Sequence, residues 1–275
     1  MNKNIPLLIS FSGGRTSAFM TKYLVDKYQN ELDIHIVFAN TGKEREETLE
    51  FVHECDTRWN LGVVWLEAKV IHEENIGTSF NIVDYKTASR NGEPFEEMFI
   101  KYGIPNQTHP FCTRELKLRP IRKYMQSLGH NEYTSALGIR ADEPNRLKFK
   151  KNYYYPLATE IRVDKKYIRK FWDAQCFDLK LKDYEGNCDM CWKKSQRKLM
   201  TMILENPKLI EWWNEMELKY GEGEFTFYRG NKSAQDLVDM TKNNFFKVED
   251  KWDEQKKQQS LFEDIDFELN CLCKA

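Results

Sequence analysis

The stretch LLISFSGGRTSAFM, Leu7 to Met20, joins a strand pattern to a helix pattern through two adjacent glycines. Its first part is an apolar run typical of a buried strand, and its last part has the composition of a helix. Ser12-Gly13-Gly14 lies between the two, so a strand turns directly into a helix. Such a turn places consecutive backbone N–H groups at the positive end of the helix dipole, where they bind anions. The sequence therefore predicts an anion cradle at this junction.

The side chains of this loop suit a phosphate ligand. Glycines let the backbone approach phosphate oxygens, hydroxyls donate hydrogen bonds, and a guanidinium adds a fork of positive charge. The predicted phosphate-binding residues are Ser10, Ser12, Gly13, Gly14, Arg15, Thr16 and Ser17. The alternative is a tight connection without a ligand, because short glycine motifs are common. The pattern is neither a Walker loop nor Gly-x-Gly-x-x-Gly.

Similar strand and helix patterns alternate along the first half of the chain. Short β-rich apolar runs, typical of a parallel sheet covered on both faces, span residues 5–11, 34–39, 63–66 and 133–139. Helical stripes lie between them, the first formed by Met20, Leu24 and Tyr28, the second by Leu49, Val52, Cys55 and Trp59. The alternation predicts an α/β domain with right-handed crossovers.

The composition divides the chain into three regions. Residues 1–150 form the expected α/β domain. Residues 151–246 are aromatic, charged and mainly helical in pattern, and they contain a Cys-x-x-Cys motif. Residues 247–275 are charge-dense and end in Cys-x-Cys, as expected of a partly mobile tail.

The overall charge and hydropathy exclude several classes of protein. The 275 residues carry 42 Lys and Arg against 43 Asp and Glu, so the formal net charge is -1. Whole-molecule charge therefore gives no reason to expect a nonspecific polyanion binder. No stretch reaches the roughly 18 apolar residues of a membrane span, and residues 1–6 lack a signal peptide's features. We expect a cytoplasmic protein without a membrane partner, in which clustered cysteines indicate metal or redox sites.

Four segments together resemble one enzyme family. The order Ser-x-Ser-Gly-Gly-x-x-Ser resembles the PP-loop of the adenine nucleotide alpha-hydrolase superfamily. The segments FANTGKEREETLEFV (38–52), FCTRELKLRPI (111–121) and LGIRADEPNR (137–146) are similar, in the same order, to segments of the phosphoadenosine phosphosulfate (PAPS) reductases. SGGRTSAFM looks closest to the phage and bacterial branch of PAPS reductase-like proteins. The resemblance implies an open, mostly parallel five-stranded PP-loop sheet with helices on both faces, followed by a mainly helical C-terminal region.

The resemblance also nominates residues beyond the loop. Arg140 and Arg146 flank a turn after the fourth apolar run, at the carboxyl edge where open α/β sheets bind ligands, and their guanidinium groups suit phosphate or sulfate. Without the resemblance, a surface pair bridged to Asp142 and Glu143 is the simpler interpretation. The adenosine side is expected to be lined by Asn40, Thr41 and Gly42.

The cysteine spacing indicates a metal site. Cys188 and Cys191 form Cys-x-x-Cys, which lets two thiolates reach one metal or cluster. In the iron-sulfur branch of the resembled family, an adjacent cysteine pair joins a later Cys-x-x-Cys to hold a 4Fe-4S cluster. Here Phe111 replaces the first of that pair, and Cys112 matches the second. The implied ligands are thus Cys112, Cys188 and Cys191, with a fourth cysteine chosen from Cys273, Cys271 and Cys176. Zinc remains an alternative, because thiolate ligands alone do not distinguish it from iron-sulfur.

Three functions remain open. The first is sulfonucleotide reduction of PAPS or APS through a tail cysteine, Cys271 or Cys273, with Arg140 in the catalytic site and a thioredoxin-like reductant as partner. The family's Glu-Cys-Gly-x-His tail is replaced here by Asn270-Cys271-Leu272-Cys273. The second is an ATP-dependent, adenylating sulfurtransferase that acts on nucleic acid and uses Mg, although Thr16 stands where such enzymes have Asp. The third is a nucleotide-binding, DNA-associated accessory protein without turnover.

A short tail motif points to a possible DNA partner. Gln258 to Phe262, QQSLF, resembles the peptide by which bacterial DNA-handling proteins dock on the sliding clamp. Matches over five residues are common by chance, so docking on the clamp is an expectation.

Overall fold

The computed structural model describes residues 5–148, 150–221 and 226–250. Its centre is a six-stranded sheet in the order β4-β3-β2-β1-β5-β6. The strands are β1 (Leu7–Ser10), β2 (Ile34–Asn40), β3 (Val64–Lys69), β4 (Ser79–Val83), β5 (Thr134–Ala136) and β6 (Tyr153–Tyr154). All neighbouring pairs are parallel except β3 and β4. The predicted α/β class is confirmed, and the sheet has one strand more than the expected five.

Helices follow the strands and continue into the second half of the chain. Their bounds are α1 (Arg15–Tyr28), α2 (Glu46–Trp59), α3 (Glu93–Tyr102), α4 (Phe111–Thr113), α5 (Arg119–Ser127), α6 (Pro156–Thr159), α7 (Lys165–Asp173), α8 (Gln196–Glu205), α9 (Lys208–Tyr220) and α10 (Ala234–Thr241). A π-helical turn, Arg114–Leu118, joins α4 to α5, and a 3-10 turn spans Pro144–Arg146. None of the helices in these described ranges is long and apolar enough to cross a membrane.

The period of two along the strands places the core on both faces of the sheet. On one face, Leu7 and Ile9 pack with α1, α2 and α7. On the other face, Leu8 packs with Ile121 and Met125 of α5. A third core joins α3, α8, α9 and α10 around Trp213.

The first of these cores crosses the expected boundary at residue 150. Leu157, Ile168 and Trp172 belong to the same buried cluster as Leu7 and Ile9 of the central strand. Helices α6 and α7 therefore complete one face of the sheet, while α8, α9 and α10 pack in the third core with α3.

Candidate functional site

The glycine loop joins β1 to α1 at the carboxyl edge of the parallel strands. Gly13 has a φ of +77°, which favours glycine, and a Cβ there would lie 2.6 Å from Cγ2 of Thr48. Gly14 precedes the first residue of α1 in an extended conformation. The loop is thus pressed against α2, and this contact directs the N-terminus of α1 toward the strand ends.

A cavity of about 530 Å³ opens beside this loop. One wall is the loop and the first turn of α1, and the facing wall is the segment after β5. The remaining walls come from the start of α7 and from residues 179–186. Polar residues of the lining include Ser12, Thr16, Ser17, Arg140, Lys165 and Lys182. The N-terminus of α1 and several cationic side chains therefore border one concave space, an arrangement that suits an anionic ligand.

The loop amides do not all point toward this cavity. Oγ of Ser17 accepts the amide of Ser12 at 3.3 Å and the amide of Gly14 at 3.2 Å, and the Ser12 hydroxyl lies 3.0 Å from it. No acceptor within the described ranges takes the amides of Gly13 or Thr16. The cradle is therefore partly closed by its own serine, and a phosphate would compete with the Ser17 hydroxyl for two donors.

Arg15 lines the cavity, and its guanidinium is held by residues 178–181. Its guanidinium forms a bidentate ion pair with Asp178, with Nε 2.6 Å from Oδ1 and Nη2 2.9 Å from Oδ2. It also donates to the carbonyls of Leu179 and Leu181. In this arrangement Arg15 fastens residues 178–181 to α1 and builds the cavity wall, instead of presenting a free charge to a ligand.

Arg140 faces the loop across the cavity. Its Nη1 lies 3.3 Å from Oγ1 of Thr16, while Nε and Nη2 contact Asp142 at 2.8 and 3.1 Å. Arg146 also lines the cavity, is largely exposed and pairs with Glu143 at 2.5 Å. Both the ion pairs with Asp142 and Glu143 and the position beside the loop are therefore present. The side chain of Arg140 is the one that reaches the loop.

Asn40, Thr41 and Gly42, which we expected at the adenosine side, do not line this cavity. The Asn40 amide is fully buried and donates to Oε1 of Glu67 at 2.6 Å, and Thr41 donates through its amide and hydroxyl to Glu44 at 2.7 Å. These bonds hold the end of β2 and the start of α2 in place. Asn40 and Thr41 therefore stabilise the backbone next to the site, because their polar atoms form hydrogen bonds within the protein.

The Cys-x-x-Cys segment is fastened to the glycine loop. The Asn187 side-chain amide donates to the carbonyl of Ser12, and the amide of Arg45 donates to the carbonyl of Asn187 at 2.8 Å. Gly186, one residue earlier, lines the cavity. The structure thus brings the two cysteines to the edge of the candidate nucleotide site, although more than 170 residues separate them from the loop.

The two cysteines of this motif differ strongly in acidity. A hydrogen bond from Cys188, together with the nearby Lys194 ammonium, lowers the pKa of Cys191 to about 5. The same hydrogen bond, together with burial, raises the pKa of Cys188 well above its usual value. Nζ of Lys194 is held 2.7 Å from the carbonyl of Cys188. The pair therefore holds one thiolate at neutral pH, the state that a metal or an electrophile requires.

Cys112 lies on α4 and is half-buried in the same apolar cluster as Cys188. Burial raises the pKa of its thiol. The π-helical turn Arg114–Leu118 follows this short helix directly.

Three cysteine thiolates are a donor set that an iron-sulfur cluster or a zinc ion takes. A tetrahedral zinc site would hold its sulfurs about 3.8 Å apart, given Zn–S bonds of about 2.3 Å. Within the described ranges, the three sulfurs of Cys112, Cys188 and Cys191 do not all lie within 4.8 Å of one another. A four-iron cluster spreads its ligands more widely than one ion does. Cys176 is exposed beside Arg58, and the candidates Cys271 and Cys273 lie outside the described residues.

Several site residues escaped sequence reasoning. Asp178, Asn187 and Lys194 gain their roles only through contacts with residues more than 100 positions away or through burial near the cysteines. Lys165 and Lys182 line the cavity but stand in unremarkable charged segments. The sequence signals were the closeness of Asn187 and Lys194 to the cysteine motif and the position of Lys165 at the start of a helix.

Comparisons with known proteins find relatives of this chain. The chain is 34% identical over 252 residues to the uncharacterized nin region protein ORF290 of Escherichia phage lambda, an alignment that covers 88% of this chain and 87% of the phage protein. An uncharacterized protein of Methanocaldococcus jannaschii is 25% identical over 229 residues, which cover 79% of this chain and 42% of the archaeal protein. A crystal structure of PAPS reductase from Candida auris in complex with phosphate aligns with a TM-score of 0.40 and 14% identity, over 61% of this chain and 72% of that chain.

The family itself follows from sequence. The family model of the phosphoadenosine phosphosulfate reductase domain matches residues 6–156, more than half of the chain. The match includes the glycine loop, Cys112 and Arg140. With the phage relative aligned over most of the remaining residues, the resemblance is confirmed, and this chain belongs to the phosphoadenosine phosphosulfate reductase family.

Proposed function

We propose that the cavity beside the glycine loop binds the phosphate and sulfate groups of an adenine sulfonucleotide, and that the protein reduces that sulfonucleotide. The observation that carries the proposal is the approach of Arg140 to Thr16, which closes the cavity between a helix N-terminus and a guanidinium. Two sources of positive potential thereby face one space of about 530 Å³. Family membership supports the nucleotide class.

Binding requires two rearrangements of existing contacts. The Ser17 hydroxyl releases the amides of Ser12 and Gly14, and these two amides donate to phosphate oxygens instead. Arg140 exchanges part of its pairing with Asp142 for the ligand, which is anionic as well. Arg15 keeps its bond to Asp178, so the wall formed by residues 178–181 stays in place.

The proposed reaction begins with a tail thiolate. The sulfur of Cys273 or Cys271 bonds to the sulfate sulfur, and the bond from that sulfur to the phosphate oxygen breaks. The electron pair leaves with the nucleotide phosphate, which Arg140 and the helix N-terminus stabilise. The enzyme then carries a cysteine S-sulfonate. A thiol of a thioredoxin-like protein attacks the cysteine sulfur, and sulfite leaves. A second thiol of that reductant reduces the resulting mixed disulfide, so two thiols are oxidised for each sulfate reduced.

The cysteines of the folded region serve a different purpose in this proposal. Cys112, Cys188 and Cys191 would hold the family's metal group, together with whichever of Cys271 and Cys273 is not the nucleophile. Such a cluster, or a zinc ion, supplies a fixed electrostatic centre beside the ligand when it is bound. Asn187 links this centre to the loop through the carbonyl of Ser12, so the two parts of the site keep a constant separation.

Product analysis tests the reaction. Anaerobically purified protein is incubated separately with PAPS, APS and ATP, and sulfite, AMP and pyrophosphate are measured. Sulfite from PAPS or APS with a dithiol reductant supports the proposal, and its absence from both contradicts it. Arg140→Gln should lower the rate about 10- to 100-fold, because a charge-assisted pair to the leaving phosphate is lost. Arg197→Gln, which removes an exposed charge on α8, is the matched control.

A second candidate, ATP-dependent sulfur transfer to nucleic acid, is favoured by a second cavity. This space of about 500 Å³ is lined by Lys101, Arg119, Arg122 and Lys123 near the carboxyl end of β3. Arg119 pairs with the buried Glu115 at 3.1 Å. Neither Arg122 nor Lys123 has an ion-pair partner within the described ranges. Unpaired cations in a concave surface suit the backbone of a polyanionic acceptor.

The two candidates differ in their products. Sulfur transfer predicts pyrophosphate from ATP with Mg, stimulated by RNA or DNA and reduced by Arg122→Ala/Lys123→Ala. Those two changes should also lower the slope of log affinity against log salt by about 2. Arg197→Ala/Lys208→Ala, two exposed cations on α8 and α9, should leave both values unchanged. Pyrophosphate release that ignores nucleic acid would remove this candidate.

The third possibility, an accessory protein without turnover, predicts nucleotide binding with none of these products. Its proposed clamp-docking peptide, Gln258 to Phe262, lies outside the described residues. Titration of the bacterial clamp with the full chain and with a chain lacking residues 247–275 tests it. Equal binding, or none by the full chain, would contradict the docking proposal.

A further inference from the structure

A compact group of two histidines and one aspartate lies at the opposite edge of the sheet from the nucleotide cavity. Asp33 and His35 flank the first residue of β2, and His130 lies in the connection from α5 to β5. One ligand atom from each of these residues lies within 4.8 Å of the other two. Because β2 and β5 run parallel, their amino ends bring the three residues together at one edge.

We propose that Asp33, His35 and His130 form a binding site for a divalent transition-metal ion such as Zn²⁺. The ligand types are those that such ions prefer, two imidazole nitrogens and a carboxylate oxygen. Three protein ligands leave one tetrahedral position for water.

The distance from each imidazole nitrogen to the carboxylate is close to that between two ligands of a tetrahedral metal. Nε2 of His35 lies 3.2 Å from Oδ1 of Asp33, and Nε2 of His130 lies 3.5 Å from Oδ2 of Asp33. With bonds of about 2.0–2.1 Å, the ligands of a tetrahedral zinc ion lie about 3.3 Å apart. The centroids of the two imidazole rings lie 4.9 Å apart, so both rings and the carboxylate border one point.

The environment of His35 favours a metal over a simple hydrogen bond. Its Nε2 is buried and has no hydrogen-bond partner, although the Asp33 carboxylate lies 3.2 Å away. Oδ1 of Asp33 is close enough for a hydrogen bond, but the angle at the imidazole nitrogen is unsuitable for one. A buried polar atom without a partner is costly, and a bound cation would satisfy both its lone pair and the carboxylate charge.

Backbone contacts hold the three residues in place. The Asp33 carbonyl accepts the amide of Leu7 at 2.8 Å, which fixes it to β1. His35 pairs in register with Leu8, and the amide of His130 donates to the carbonyl of Met125 in α5 at 2.9 Å. A metal at this point would link the central strands to the end of α5. It would act as a structural clasp, independent of the nucleotide cavity.

The test uses the full chain and Zn²⁺ alone. Because thiolates also bind Zn²⁺, side-chain nitrogen NMR of the five histidines follows each imidazole separately during the titration. The signals of His35 and His130 should shift together and saturate at one equivalent for this site. At pH 5.5 the shifts should be much weaker, since protonated imidazole does not bind metal. The midpoint temperature of thermal unfolding should rise by about 5 °C at a Zn²⁺ concentration 100 times the dissociation constant.

Variants separate this site from the cysteines. His130→Gln and His35→Gln should each abolish the NMR shift of the remaining histidine and the stabilisation that depends on it. His72→Gln changes an exposed histidine paired with Glu97 and should keep both. The Cys188→Ser/Cys191→Ser variant should also keep the histidine shifts. If His35 and His130 do not shift with Zn²⁺, or if both substitutions keep the full stabilisation, the proposal is wrong.

Discussion

Replacement of Gly13 by alanine tests how tightly the loop is packed. A Cβ at this position would lie 2.6 Å from Cγ2 of Thr48, 3.1 Å from Cγ2 of Val52 and 3.2 Å from Cε2 of Phe38. All three side chains are buried, and Thr48 and Val52 are β-branched residues in α2, with restricted rotamers. The neighbours therefore cannot simply turn away. The positive φ of +77° adds a second cost.

The expected loss of stability follows from these two terms. The left-handed backbone costs an alanine about 1 kcal/mol, and overpacking of a filled core costs about 1–3 kcal/mol. Gly13→Ala should therefore lower the free energy of unfolding by roughly 2–4 kcal/mol, which for a chain of this size corresponds to a fall in Tm of about 5–10 °C. Calorimetry or thermal circular dichroism measures this directly.

Two glycines provide matched controls. Gly62 also has a positive φ, +68°, but a Cβ there would meet nothing within 4 Å, so Gly62→Ala should cost only the backbone term of about 1 kcal/mol. Gly14 has an ordinary negative φ, and a Cβ there would lie 3.5 Å from Asn187, so Gly14→Ala should change stability little. Equal losses for Gly13→Ala and Gly62→Ala would refute the packing argument.

Three further outcomes are expected. Asn40→Asp should lower the free energy of unfolding by about 3–5 kcal/mol, because a carboxylate would replace the buried amide that donates to Glu67. Thermal melts at pH 7 measure this loss of stability, and an unchanged Tm would contradict the assigned hydrogen bond. The rate of alkylation of Cys191 in metal-free protein should reach half its maximum near pH 5. The rate should then be constant from pH 6 to 8, because the thiolate is already formed. A rate that rises about tenfold per pH unit up to pH 8 would contradict the lowered pKa. Asp178→Asn should lower the free energy of unfolding by about 1–2 kcal/mol and weaken nucleotide binding, because it removes the charge that holds Arg15. A loss of stability with unchanged nucleotide affinity would show that this wall does not shape the site.

The sequence identified the first strand, loop and helix because their signals are local. The apolar run, the glycines and the helical stripe lie within about twenty consecutive residues, so the periodicities predict the elements directly. Two edge strands were missed for a physical reason. β4, SFNIV, mixes polar and apolar residues and none of them is fully buried, and β6 is only Tyr153–Tyr154, so neither shows a buried strand pattern.

The candidate site was predictable only where it depends on local chemistry. The position of Arg140 followed from a strand end, whereas the engagement of Arg15 by Asp178 depends on a contact across 163 positions. Likewise, a sequence that resembles a nucleotide-binding segment cannot reveal that Asn40 is fully buried against Glu67. Polar residues at a sheet edge can either face the ligand or support the backbone, and packing decides between these roles.

The proposed function depends most on the cavity between the glycine loop and Arg140. Isothermal titration of the full chain with PAPS, and then with PAPS in excess inorganic phosphate, tests it most directly. We predict one binding site, competition by phosphate, and an affinity about 10- to 100-fold weaker in Arg140→Gln than in the Arg197→Gln control. Absence of binding heat with PAPS, APS and ATP alike, or equal affinity in the two variants, would contradict the account.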